Sequence, residues 1–85
     1  MNYSVYVLKS RKNNSYYIGY AEDVGKRLQQ HNAGLVKATK YKQPFDIIYT
    51  EIYKSGTEAR KREAFLKKKK SRKYIDWLIA QQTGV

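Results

Sequence analysis

One histidine, an arginine four residues before it, two tyrosines in apolar segments and one glutamate inside a basic run are the residues best suited to chemistry: His31, Arg27, Tyr6, Tyr17 and Glu63. A guanidinium can offer two hydrogen bonds to non-bridging phosphate oxygens and stabilise charge that develops on them. An imidazole, with a reference pKa of about 6.5, can carry protons near neutrality. Between Arg60 and Lys73 nine basic residues surround the single acid Glu63. One carboxylate cannot close a metal cage, but it suffices for a magnesium ion that keeps its waters and takes a further ligand from a phosphate. Each residue also has a plainer reading. Strand tyrosines pack, and a lone arginine or histidine on a helix is usually a surface group. Glu63 can simply pair with Lys67 one turn on, which contributes only about 0.2–0.5 kcal/mol.

These residues must be positioned by short elements. Tyr3 to Leu8 and Ser15 to Tyr20 are β-branched and aromatic and read as strands, joined by the turn-forming Arg11-Lys12-Asn13-Asn14. An even-numbered loop places Tyr6, Tyr17 and Gly19 on one sheet face, whereas an odd loop without a bulge separates them. Gly19 marks a bend, or a place where backbone or substrate comes close. Glu22 to Asn32 reads as a helix with Asp23 as cap and Gly34 as stop; Val24, Leu28 and His31 form one stripe, and Arg27 neighbours His31. Ala33 to Pro44 is a lysine-rich loop, and Phe45 to Tyr53 a third strand. Ser55-Gly56-Thr57-Glu58 has capping-box spacing and opens a helix reaching about Lys69. Ser71 caps a last helix whose buried side is expected to be Tyr74, Ile75, Trp77, Leu78 and Ile79, with Gln81 to Val85 fraying. The order β-β-α-β-α-α suggests an α+β fold, a three-stranded antiparallel sheet flanked by helices. Residues 1–85 make one domain.

Ser4-Val5-Tyr6 followed by Tyr17-Ile18-Gly19, then Arg27, His31 and Glu63 in that order, resembles the GIY-YIG nuclease family, in particular its small stand-alone members. The resemblance runs from about Tyr3 to about Tyr74. It implies the same architecture, with the first two strands carrying the name motifs. It also implies that Tyr6 and Tyr17 line the catalytic face and contact the attacking water or the phosphate. His31 would assist the catalytic tyrosine, Arg27 would bind phosphate and Glu63 would hold one Mg2+ or Mn2+ ion. The pattern departs from the family at Ser4, where the name has glycine, at Val5, and in having no convincing asparagine near Ser71 to Tyr74.

Eighteen basic residues against seven acidic ones give a net charge of +11, the signature of a polyanionic partner. DNA is the first candidate, then RNA; an anionic membrane surface rests on charge alone. Lys26, Lys37, Lys40, Lys42, Arg60, Arg62, Lys67 and Lys70 are the expected phosphate contacts, and Tyr41, set among loop lysines, could stack on a base. The absence of cysteine excludes disulfides, thiolate catalysis and cysteine-based zinc sites. No apolar run is long enough to cross a bilayer, and the N-terminus lacks signal-peptide features, so a cytoplasmic protein is expected. The expected activity is metal-dependent endonucleolytic hydrolysis of DNA, in repair or on branched DNA, helped by a protein partner or a second copy. The alternative is a nucleic-acid-binding module that keeps the fold without turnover.

Overall fold

The strand pair expected around Asn13-Asn14 is an antiparallel hairpin in the computed structural model, which describes residues 2–69 and 71–83. Strand β1 spans Tyr3–Ser10 and β2 spans Tyr16–Ala21. The Ser10 N–H donates to the Ser15 carbonyl at 2.9 Å, closing a four-residue loop over Arg11 to Asn14. Asn14 takes the left-handed conformation there, with φ of 62°, which asparagine tolerates better than most residues. The even loop sets Tyr6 opposite Gly19 and Leu8 opposite Tyr17. Side chains alternate faces along a strand, so Tyr6, Tyr17 and Gly19 share one.

Strand β3, Phe45–Tyr53, pairs antiparallel with the other side of β1, giving the order β2-β1-β3. The register shifts between Val7, which faces Tyr49, and Leu8, which faces Ile47. This bulge reverses the faces of the first half of β3. Phe45 thereby packs with Tyr6 and Leu8, while Tyr49 joins Val5 and Val7 on the other face. Being central and covered on both faces, β1 buries Val5, Tyr6, Val7 and Leu8 in succession. Each such apolar side chain contributes about 1.5–3 kcal/mol.

Helix α1, Val24–Asn32, covers the Tyr6 face with Val24 and Leu28. The Asp23 side chain caps it by accepting from the Lys26 N–H at 2.9 Å. Gly34, at φ 75°, supplies the left-handed turn that ends it. Helices α2, Gly56–Lys69, and α3, Arg72–Thr83, cover the opposite face with Ala59, Leu66, Ile75 and Leu78. Ser55 and Ser71 cap them, accepting from the Glu58 and Tyr74 N–H groups. The loop before β3 contains a short 3-10 turn at Lys37–Thr39.

Two expectations about α3 change. Trp77 is not on its buried side: the residue is 55% exposed. Gln82 is not frayed, because α3 continues past it and its amide donates to the Thr50 carbonyl at 2.8 Å. Gly84 and Val85, included in the expected fraying, lie outside the described residues.

Candidate active site

Tyr6 projects from the centre of the sheet across the bare backbone of Gly19. A methyl group added to Gly19 would lie 2.5 Å from the Tyr6 hydroxyl oxygen and 2.6 Å from the ring carbon bearing it. The close approach expected of this glycine is therefore to a tyrosine of the same site. The Tyr6 hydroxyl lies 3.1 Å from His31 Nε2, and His31 Nδ1 lies 2.8 Å from Thr39 Oγ1. Thr39 donates its own proton to the Val36 carbonyl at 3.4 Å. With the Thr39 proton assigned to the Val36 carbonyl, Thr39 Oγ1 accepts an Nδ1–H, and Nε2 is left unprotonated to accept from Tyr6. A chain of donors and acceptors thus runs Tyr6, His31, Thr39, Val36.

Sequence reasoning missed Thr39. The residue sits in the lysine-rich loop with nothing local to mark it, and only folding brings it under the imidazole. Asn32 helps hold that loop in place: it accepts from the Phe45 N–H at 2.7 Å and donates to the Phe45 carbonyl at 3.3 Å.

His31 is fully buried, packed edge-on to the rings of Tyr17 at 4.9 Å and Phe45 at 6.0 Å. Burial, reinforced by the Arg27 charge, lowers its pKa to about 4. The unfolded chain binds this proton near pH 6.5 and the folded protein does not. Stability is therefore full above that pH and falls as pH drops toward 4. The loss corresponds to about 3 kcal/mol. Thermal unfolding from about pH 7 down to pH 4 should show this extra loss in the wild type and not in His31→Gln. Equal acid sensitivity of the two would contradict the assignment. Burial also raises the pKa of Tyr6, against the opposing hydrogen bond from Arg27. The resting pair is a neutral phenol beside a neutral imidazole.

Arg27 and His31 are neighbours on α1, as their spacing requires, and the Arg27 guanidinium is steadied by Gln30 Oε1 at 2.9 Å. Glu63, on α2, is close enough to raise the Tyr6 pKa slightly. Its side chain is 16% exposed and its carboxylate pairs with Lys67 at 3.5 Å, so the plain i,i+4 pairing is present. Lys67 also stands 5.6 Å from the centre of the Tyr17 ring, linking the glutamate to the tyrosine face. Beside them a cleft of about 450 Å³ opens between β2 and the α2–α3 junction, lined by Tyr16, Tyr17, Ile18, Leu66, Lys67 and Arg72.

Glu63 stands at the edge of this face through Lys67, which lies over Tyr17, and no group of three or more His, Cys, Asp or Glu that could hold a metal occurs among the described residues. That donor set fits a magnesium-type ion held by one carboxylate, its waters and a substrate phosphate, and does not fit a zinc-type cage.

The remaining basic candidates divide. Lys26, Lys37, Lys40, Lys42, Arg60 and Lys67 are exposed. Tyr41 is 76% exposed, with Lys40 Nζ 5.6 Å from its ring centre. Lys70 lies outside the described residues. Arg62, also expected as a phosphate contact, is engaged within the protein. It donates from Nε and Nη2 to both oxygens of Glu51, at 2.8 and 3.0 Å. Glu51 faces Val5 across β1, so this pair sits on the sheet face opposite Tyr6.

The fold agrees with the comparisons. A family model described as the GIY-YIG catalytic domain matches residues 2–75, and the chain belongs to this nuclease family. It is similar to a UPF0213 protein of Listeria welshimeri, 41% identical over 78 residues, covering 91% of this chain and 86% of that one. UPF0213 protein YazA of Bacillus subtilis is 39% identical over 79 residues, covering 88% and 79%. The solution NMR structure of a UPF0213 protein from Bacillus halodurans superposes with a TM-score of 0.59 at 33% identity, covering 95% of this chain and 85% of that one. No helix among the described residues is long and apolar enough to cross a membrane.

Proposed function

We propose that this domain is a divalent-metal-dependent endonuclease that hydrolyses phosphodiester bonds in DNA, with branched or damaged DNA as its setting. The observation that carries the reading is the buried Tyr6–His31–Thr39 chain with Arg27 beside it. A core built only for packing has no need of an unprotonated imidazole nitrogen aimed at a phenol, since such groups are costly unless every partner is supplied. Retention of Tyr17, Gly19, Arg27 and Glu63 around that chain favours turnover over simple binding.

In this reading the Tyr6 oxygen orients the attacking water and takes its proton while passing its own to His31 Nε2. The acceptor is weak at rest. A phosphate that neutralises Arg27 removes one of the two influences that depress it. Thr39 holds the Nδ1–H, fixing the tautomer in which Nε2 is free. Tyr17 lines the approach to the phosphate. Arg27 stabilises negative charge on the non-bridging oxygens at the transition state, an effect typically worth about 10²–10³ in rate. Glu63 would hold Mg2+ or Mn2+, which supplies stabilisation of the leaving oxygen. Lys26, Lys37, Lys40, Lys42, Arg60 and Lys67 supply sequence-independent phosphate contacts, with a log–log salt slope of about −0.9 per contact on duplex DNA.

Metal removal tests the reading. Flap, splayed and nicked duplexes should be cut in Mg2+ or Mn2+ and left intact with a chelator, with 5′-phosphate or 3′-phosphate ends identifying hydrolysis. Binding without cleavage across these substrates and metals would sink the proposal and leave a nucleic-acid-binding domain.

A further inference from the structure

Trp77, the only tryptophan of the chain, is an unusual surface residue. Its ring stacks on Tyr74 at 5.9 Å with 27° between planes, and it remains 55% exposed. Lys69 Nζ lies 5.1 Å from the Tyr74 ring centre, so an ammonium, a phenol and an indole follow one another. Phe65, 47% exposed, meets the edge of Tyr74 at 6.2 Å and carries the Arg62 guanidinium 5.3 Å from its ring centre. Three linked aromatic rings with cations laid on them make neither a core nor an ordinary solvated face.

Their position on α2 says what they fit. At about 100° per residue, Glu63 and Lys67 flank the buried stripe of Ala59 and Leu66 on one side. Arg62, Phe65 and Lys69 flank it on the other. The outer face between the two flanks carries the exposed Arg60, Lys61 and Lys68. A cationic track therefore crosses the helix from the candidate catalytic flank to the aromatic flank. Its width, about one helix diameter of 10–12 Å, corresponds to a few nucleotides of extended strand.

We propose that Trp77 and its aromatic neighbours form a stacking platform for unpaired bases of a single-stranded segment whose phosphates cross α2 on Arg60, Lys61 and Lys68. Bases stack on aromatic faces with little regard to sequence, and phosphates match the surrounding positive charge. The proposal rests on the nuclease reading and adds a substrate class to it: DNA with a single-stranded arm beside the scissile bond. Arg62 then holds the platform through Phe65 and does not itself bind phosphate.

Trp77 reports on its own occupancy. Titration in a metal chelator with a thymidine oligomer of about ten nucleotides should quench its fluorescence saturably. An abasic strand of equal length and charge should quench far less, and blunt duplex likewise. Trp77→Ala should weaken single-strand binding about tenfold and leave duplex binding within about twofold, with Trp77→Phe between. Equal quenching by the abasic strand, or unchanged single-strand affinity in Trp77→Ala, would overturn the platform. Self-association abolished by Trp77→Ala would overturn it too, assigning this face to a second copy. If the wild type cuts splayed DNA yet shows none of these effects, only the platform fails. If it neither binds nor cuts any nucleic acid, the nuclease reading fails with it.

Discussion

Tyr6→Phe should lower the rate of DNA cleavage by about 10²–10⁴-fold while the protein stays folded and still binds DNA, the range expected for loss of a positioned proton-transfer group. The substitution removes one oxygen and keeps the ring packed against Leu8 and Phe45. Its structural cost is the acceptor left unpaired at His31 Nε2, now without the donor at 3.1 Å. A buried polar group so stranded costs about 1–3 kcal/mol, a modest fall in melting temperature. The effect should fall on kcat more than on substrate affinity, because the hydroxyl handles the water's proton. The check is single-turnover cleavage beside a binding isotherm. Cleavage within about threefold of wild type would return Tyr6 to an ordinary packing role, since a proton-transfer group typically contributes about 10²–10⁴-fold.

The largest effect on stability is expected away from this face, at Glu51. Its two oxygens accept from Arg62 Nε at 2.8 Å, Arg62 Nη2 at 3.0 Å, Tyr53 at 2.7 Å and also from Tyr49. Burial alone would raise the Glu51 pKa, but the hydrogen bonds from Arg62 and the two tyrosines hold it below the ordinary glutamate range. Burial and the carboxylate in turn push both Tyr49 and Tyr53 up to about 12. Glu51→Ala leaves a half-buried guanidinium and two phenols without their acceptor. Breaking such a pair from one side costs about 3–5 kcal/mol. For a domain of this size that lowers the melting temperature by more than about 10 °C. Glu51→Gln, which keeps an acceptor oxygen, should fall between. A loss below about 1 kcal/mol would mean that the pair behaves like an exposed one.

Local chemistry made much of the architecture readable. The Asn13-Asn14 turn, the even loop and the alternation of Tyr6, Leu8, Tyr17 and Gly19 suffice to set the hairpin register. Asp23, Ser55 and Ser71 mark the starts of the helices through their own caps. What sequence did not show is tertiary. The bulge at Ile48 that turns Phe45 toward His31 depends on how β3 meets β1. Thr39 lies eight residues beyond His31 and becomes its partner only when the loop folds back. Arg62 stands in a basic run and looked like its neighbours. It differs because α2 presents it to Glu51, a residue that helical periodicity cannot see. Trp77 looked buried because indole usually is. It is exposed because Ile75 and Leu78 already fill the space under α3, and the stack on Tyr74 covers only part of the ring.

The central claim is that the Tyr6 face, with Glu63 at its edge, is a catalytic centre. The most direct measurement is Mg2+-dependent cleavage of a splayed DNA duplex by the wild type and by Glu63→Ala, with binding of the same DNA followed in parallel. Glu63 contributes one ion pair with Lys67 to the fold, so its removal should cost little stability. The account predicts that the wild type cuts, and that the variant binds equally well and cuts at least about 10²-fold more slowly, with Arg27 and Tyr6 still in place. Equal cleavage by both proteins would contradict it.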